Sequence, residues 1–449
     1  MAQDKLRIVI IGGGAGGISA ASTSKSLAPD ASVTLFSEFE DVAYSPCGIP
    51  FVHGREIPSF ENLFLQTSEH YAKIGIDLKL RTTVTNIDIP NRTISAGTES
   101  YGWDRLIIAT GFEYDIQEIP GIDLEGVHYV KNIRRAMEYD KFLDTIKKVV
   151  VVCATPLGIE MTGNLAHRGL ETHLVEEGAW IMSEVADPDI MEPVKESLEE
   201  MGAKLHFGTK VLEFKGEGGK VKSVVTTSGE IECDSVVVAF PKKPNNRLAR
   251  EAGLEIGSTG GILVDDHMRT SAKDVYAAGD CAEVVHGVTD IPIQGLSGSH
   301  AYSQGRIAAA NAVGEDRSYD PVFIPWGMVG GQVQVGGVSM GETLHKALGI
   351  PHVVAFAMGI SRARYYPGVS RLRVKLIADP ATHRVLGAQM SGGEGIKERA
   401  DFLAFVIKRG VKLEELAWME NVYSPPIGAL MEPIALAAQA GLAKLKQNG

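Results

Sequence analysis

Leu6-Arg7-Ile8-Val9-Ile10-Ile11-Gly12-Gly13-Gly14-Ala15-Gly16-Gly17 decides the fold. The first six residues, apolar except for Arg7, read as a parallel strand buried on both faces. The glycines lead into a helix of small residues, Ile18 to Leu27, and Ala31 to Ser37 returns as a second strand. Gly12-x-Gly14-x-x-Gly17 sits where strand becomes helix. Its first glycine permits a tight turn, its second lets backbone approach a pyrophosphate, and its third lets the helix lie against the strand. The pyrophosphate then rests on free N–H groups at the positive end of the helix dipole. The stretch predicts a dinucleotide-binding βαβ unit.

A second unit of the same form starts at Lys148. Val149 to Val152 is a strand, Leu157 to Arg168 a helix, and Glu171 to Glu177 the returning strand. Gly158 holds the third glycine position, but Cys153 and Thr155 hold the first two. A side chain at the first opposes a positive φ, and one at the second crowds a pyrophosphate. Asp104 to Gly111 and Asp274 to Asp280 are further strands ending in small-residue turns, and Gln304-Gly305-Arg306 lies on an alanine-rich helix. From about Val322, strand-like segments (Gln332 to Gly337, Arg371 to Ile377, Arg384 to Gln389) alternate with helices (Gly395 to Arg409, Lys412 to Trp418). That texture predicts an α+β terminal domain.

At 449 residues and 44% hydrophobic, the chain exceeds a single core. A net charge of −12 without a block of like charge argues against a nucleic-acid binder. No run reaches the roughly 20 apolar residues of a membrane helix. The opening residues lead straight into a strand, leaving no room for a signal peptide, so a cytoplasmic location is expected. Cys47, Cys153, Cys233 and Cys281 form no CxxC pair and no zinc spacing. No metal site and no disulfide scaffold is expected; one reactive thiol among buried neighbours is.

That thiol is Cys47, in Tyr44-Ser45-Pro46-Cys47-Gly48-Ile49-Pro50, where a helix can begin and favour thiolate. Asp280, after Ala-Ala-Gly at a strand end, suits the ribityl chain of FAD. Taken together, the first glycine loop, Ala109-Thr110-Gly111 and Tyr276-x-x-Gly279-Asp280 resemble the pyridine nucleotide-disulfide oxidoreductase family. The resemblance implies FAD held by Gly12, Gly14, Gly17, Ala109, Thr110, Gly111, Gly279 and Asp280. Ser37 stands where the family usually has glutamate, which leaves the ribose contact to Ser37 or Glu38. Family members with an internal redox disulfide carry two cysteines five positions apart. Here Val42 and Val52 flank Cys47 at that spacing, so the partner sulfur or oxygen comes from outside the chain. This arrangement is similar to the single-cysteine branch of coenzyme A-disulfide reductases, NADH oxidases and peroxidases, and NAD(P)H-dependent persulfide, polysulfide or sulfur reductases.

The resemblance implies an α/β fold of two Rossmann-like dinucleotide-binding domains plus a C-terminal α+β dimerisation domain. The expected boundaries are 1–115 and 246–320 for FAD, 116–245 for an NAD(P)H-binding-like domain, and 321–449 for dimerisation as a homodimer. Tyr365, Tyr366 and Tyr423 match tyrosines that reach the neighbouring subunit's thiol site, and Lys25 matches a basic position contacting coenzyme A phosphate. Ser45 is taken with Lys25 as substrate-binding, and coenzyme A as substrate or bound thiol. Ala15 replaces a histidine of the peroxidase-type members, which weakens a peroxide-reducing role. On the nicotinamide side, Gly158, Glu160 and Glu176 match family positions, and Glu177 would repel a 2′-phosphate, favouring NADH over NADPH. Pro241 stands where the family has a glycine near the nicotinamide. Three readings stay open: a disulfide, persulfide or polysulfide reductase driven by NADH; an NADH oxidase cycling Cys47 through sulfenic acid; and an electron-transfer or redox-sensing flavoprotein subunit that takes electrons from another donor, such as a protein partner.

Overall fold

The computed structural model describes residues 5–129, 132–295 and 297–448. The chain divides into two units: Met1–Pro46, Ser59–Ile116 and Pro241–Val322 form the first; Cys47–Pro58, Gln117–Phe240 and Phe323–Gly449 form the second.

In the first unit five parallel strands run in the order Val275–Ala277, Arg105–Ile108, Arg7–Ile11, Ser32–Phe36, Ile76–Lys79. Alternate residues of the central strand serve opposite faces. Ile8 and Ile10 join Leu35 and Ile107, while Val9 and Ile11 join Phe36, Leu106 and Ile108. Burial on both faces is why the run shows no polar alternation. The helices Ala15–Leu27 and Gly298–Ala312 cross at backbone distance on one face. A Cβ added at Gly305 would stand 2.2 Å from the Gly16 carbonyl oxygen. The Ser19 hydroxyl seals the crossing by donating to the carbonyls of Gly16 at 3.0 Å and Tyr302 at 2.9 Å. A short antiparallel ribbon pairs Phe112–Tyr114 with Lys242–Pro244, and the Asp115 N–H donates to the Pro241 carbonyl at 2.9 Å.

The second unit repeats the plan: parallel strands in the order Lys204–His206, Glu171–Val175, Lys148–Val152, Ser235–Val238, Val127–His128. The helix Pro156–His167 follows the central strand, as Ala15–Leu27 does in the first unit. The same unit holds a five-stranded antiparallel sheet, in the order Pro325–Gly330, Val333–Ser339, Val385–Gly392, Arg371–Ala378, Val353–Ile360, covered by the helices Ile396–Lys408 and Pro433–Asn448. This is the α+β texture the sequence predicts beyond Val322. An ionic cluster ties this sheet to the Rossmann-like part: Lys375, 4% exposed, lies within 3.2 Å of Asp187, 2.9 Å of Asp189 and 2.7 Å of Glu342.

Candidate cofactor and thiol sites

The first glycine loop has the geometry its sequence demands. Gly12 has φ +117°, and a Cβ there would lie 2.0 Å from the Ala109 carbonyl oxygen. At Gly17 a Cβ would lie 1.9 Å from the Gly12 carbonyl oxygen, so the third glycine is obligatory. Around Gly14 a Cβ meets nothing within 4 Å, which leaves open space over the start of the helix. Ser37 is buried beside this turn, close to the Cβ position of Gly13, while Glu38 is exposed. Ala109 is buried, Thr110 donates its hydroxyl to the Asn245 carbonyl at 2.6 Å, and Gly111 has φ +68°. Gly279 has φ +84°, and its N–H donates to Gln304 Oε1 at 2.7 Å. Asp280 makes no hydrogen bond to another described residue. Burial raises its carboxyl above the usual range, with Lys242 acting in the opposite sense. A glycine cradle that a Cβ would fill, beside an orphaned carboxylate, fits a dinucleotide with a hydroxylated chain.

In the second unit the glycine loop is rebuilt with other side chains. Cys153 adopts φ +76°, the positive φ that Gly12 has and that a side chain disfavours. A Cβ at Gly158 would lie 2.0 Å from the Cys153 carbonyl oxygen, almost the spacing at Gly17. Thr155 turns its hydroxyl away from the loop mouth: it donates to the Ala239 carbonyl at 2.9 Å and accepts from the Gly158 N–H at 3.4 Å, capping the helix. Glu176 accepts from the N–H groups of Ala154 and Gly178, each at 2.6 Å, which fixes its carboxylate at the loop. Glu177 is exposed beside it. Burial pushes the Glu160 carboxyl up to about 7, against a lowering hydrogen bond from the Val329 backbone.

Cys47 lies in a 3-10 turn, Pro46–Gly48, that leads directly into the helix Ile49–His53. It is the one exposed cysteine of the four. Burial, then the nearby Glu176, Glu177 and Glu184, push the Cys153 thiol up to about 12; burial, followed by Asp234, does the same for Cys233; and burial raises Cys281. Those three stay protonated at neutral pH and are poor nucleophiles. Val42 and Val52 are buried. Ser45 is pinned by its N–H to the Leu63 carbonyl at 2.9 Å.

Tyr365 and Tyr423 are 58 residues apart in sequence, yet their hydroxyls meet at 2.9 Å, and both rings are exposed, as is Tyr366. The Ala363 N–H donates to the Pro425 carbonyl, which brings the two tyrosine segments together. Lys25 directs its ammonium to the carbonyls of Pro29 at 2.7 Å and Ala31 at 2.9 Å, just beyond the end of its own helix.

Residues 6–312 match the family described as pyridine nucleotide-disulphide oxidoreductase, and residues 327–433 match the dimerisation domain of that family. The chain is a pyridine nucleotide-disulphide oxidoreductase. Membership implies an enzyme that uses FAD and a nicotinamide dinucleotide. The chain is 35% identical over 451 residues to an NADH oxidase of Methanocaldococcus jannaschii, covering 99% of this chain and 100% of the relative. It is 31% identical to a CoA-dependent NAD(P)H sulfur oxidoreductase of Pyrococcus abyssi, covering 97% of this chain and 98% of the relative. Among solved structures, an NAD-dependent persulfide reductase from A. fulgidus superposes with a TM-score of 0.95 at 30% identity, over 99% of this chain and 84% of that one.

Two features of this oxidoreductase escape sequence reading. One is an open cavity of about 730 Å³ in the first unit, lined by Ser22, Thr23, Ser26, Arg306, Arg317 and Tyr319 among others. The other is a charged cluster of His53, Arg55, Asp140, Asp144 and Arg168. No spacing rule links residues so far apart, and neither leaves a local motif.

Proposed function

We propose that this oxidoreductase reduces a coenzyme A-type disulfide, persulfide or polysulfide through Cys47, with FAD as cofactor and NADH as donor. The observation that carries the reading is the contrast among the thiols: Cys47 is exposed at a turn, while burial keeps the other three protonated. The Cys47 thiolate attacks one sulfur of R–S–S–R′, expels R′S⁻, and forms a mixed disulfide. An electron pair then cleaves that disulfide, freeing RS⁻ and regenerating the thiolate. The flavin, held by Gly12, Gly14, Gly17, Ala109, Thr110, Gly111, Gly279 and Asp280, supplies that pair when bound, after charging by the nicotinamide.

The second glycine loop favours a nicotinamide donor. Its backbone repeats the first loop, and Glu176 and Glu177 disfavour the extra phosphate of NADPH. The serines, threonine and two arginines of the cavity suit the phosphorylated end of a coenzyme A thiol. In a homodimer the joined Tyr365–Tyr423 pair, with Tyr366, faces the second copy's thiol. Lys25, engaged by carbonyls, is free for phosphate only if those bonds open.

The likeness to an NADH oxidase favours a second reading, oxygen reduction through a Cys47 sulfenic acid. Steady-state NADH consumption with coenzyme A disulfide, coenzyme A persulfide, inorganic polysulfide and oxygen as alternative acceptors tests both. Cys47→Ser is expected to abolish turnover of the sulfur acceptors. Retention of that turnover in the variant defeats the proposal, and turnover with oxygen alone selects the oxidase.

A further inference from the structure

The helix that follows Cys47 is only Ile49–His53, five residues. A helix that short has no stability of its own, so its position comes from tertiary ties. Those ties gather at its far end, within the second unit. His53 is completely buried, with Nδ1 at 3.1 Å from Asp140 Oδ1. Arg168 follows directly on the dinucleotide helix Pro156–His167, and its side chain is 7% exposed. One guanidinium nitrogen donates to the His53 carbonyl at 3.0 Å and to Asp140 Oδ1 at 2.6 Å. The other donates to the Asp140 carbonyl at 3.1 Å and to Asp144 at 2.5 Å. Gly54, which ends the short helix, lies so near Asn164 of the dinucleotide helix that a Cβ there would stand 2.1 Å from Asn164 Oδ1. Arg55 also reaches Asp140, at 2.8 Å, and Asp144, at 3.2 Å, but from the exposed side.

We propose that Arg168, Asp140 and His53 act as positioning residues for Cys47, fixing the cysteine turn from the C-terminal end of the dinucleotide helix. The proposal rests on Cys47 being the reactive thiol. Burial disfavours the charged form of both partners here. It lowers the His53 pKa despite the Asp140 bond, so the imidazole stays neutral and Nδ1–H donates to the carboxylate. It also raises Asp140, but bonds from His53, Arg168 and Arg55 outweigh that and hold the carboxyl well below the usual range. The tie is therefore ionised and intact across neutral pH. From Cys47 to His53 is six residues, about 9 Å at helical rise, so the ties at His53 bear on where the thiol sits.

The test is the rate of Cys47 alkylation by iodoacetamide as a function of pH, read by peptide mass spectrometry on flavin-loaded full-length protein. Wild type, Asp140→Asn, Arg168→Lys and Arg55→Ala are compared, each with its melting temperature. Asp140→Asn weakens the carboxylate hub; Arg168→Lys keeps the charge but loses the two-pronged reach to His53 and Asp144. Both are expected to slow alkylation at neutral pH at least about fivefold and move its midpoint upward, because loosening the turn takes the thiol from the surroundings that favour thiolate. Arg55→Ala, which removes an exposed bond to Asp140 but none to His53, is expected to move the profile less than Arg168→Lys does. If Asp140→Asn does not fold, the milder Arg168→Lys decides. A lowered melting temperature with an unchanged Cys47 profile in Arg168→Lys overturns the positioning role and leaves a purely structural tie. If wild-type Cys47 labels no faster than Cys153, the reading of Cys47 as the reactive thiol fails, and that result is visible before any variant is made.

Discussion

Gly158→Ala separates the two dinucleotide loops. The added methyl would stand 2.0 Å from the Cys153 carbonyl oxygen. Ordinary contact is about 3.5 Å, so strand and helix must part by about 1.5 Å at the place where a pyrophosphate is expected to rest. Forcing a methyl into a packed site costs about 1–3 kcal/mol. Cys153 already holds a positive φ of +76° at that place, so the loop has little freedom to absorb the change. Charged against binding, the cost raises the Kd for NADH by about 5- to 140-fold, since 1.4 kcal/mol is a factor of ten. The assay is anaerobic bleaching of the flavin by NADH, titrated in a stopped-flow instrument, beside measurement of flavin content. Gly158→Ala is expected to keep its flavin and bleach only at raised NADH concentration. Gly17→Ala, whose methyl would meet the Gly12 carbonyl at 1.9 Å, is expected to lose flavin instead. Wild-type NADH affinity in flavin-loaded Gly158→Ala would refute the reasoning: the second loop would then not be where the donor binds.

Other consequences follow from single groups. Arg306→Ala is expected to raise KM about tenfold for coenzyme A-bearing substrates while leaving inorganic polysulfide unaffected, because only the former carries phosphates to the cavity; equal effects on both remove the cavity from substrate binding. The Glu160 carboxyl, raised from 4.5 to about 7, holds its proton in the folded state after the unfolded chain has lost it. Its contribution is therefore complete below its unfolded pKa and is lost as pH rises toward 7, by up to about 3 kcal/mol. Glu160→Gln is expected to flatten that loss in urea melts across this range, and parallel curves for variant and wild type contradict it. Lys375→Met leaves the fully buried Asp187 carboxylate without its cation and is expected to cost about 3–5 kcal/mol, seen as a melting temperature lower by roughly 10 °C; an unchanged melting temperature shows the cluster to be dispensable.

Sequence alone determined the two βαβ units and the α+β texture after Val322, and it singled out Cys47 as the candidate thiol. These follow from local chemistry: apolar runs with no alternation, glycines at turn positions, and a cysteine between Pro46 and Gly48. It also flagged Cys153 as a side chain where glycine belongs, and the positive φ there is the local consequence. Only the tertiary structure decided which distant groups meet. The Tyr365–Tyr423 pair, the ties from Asp140 and Arg168 to His53, and the Lys375 cluster join residues tens to hundreds of positions apart. Thr155 and Lys25 show the same divide. Along the sequence Thr155 crowds a pyrophosphate and Lys25 matches a phosphate contact, but folding brings the Ala239, Pro29 and Ala31 carbonyls within reach, and a polar side chain takes the nearest partner it can hydrogen-bond. Pattern along a chain specifies backbone shape, whereas the partner of a charge is set by packing in three dimensions, which no spacing rule encodes.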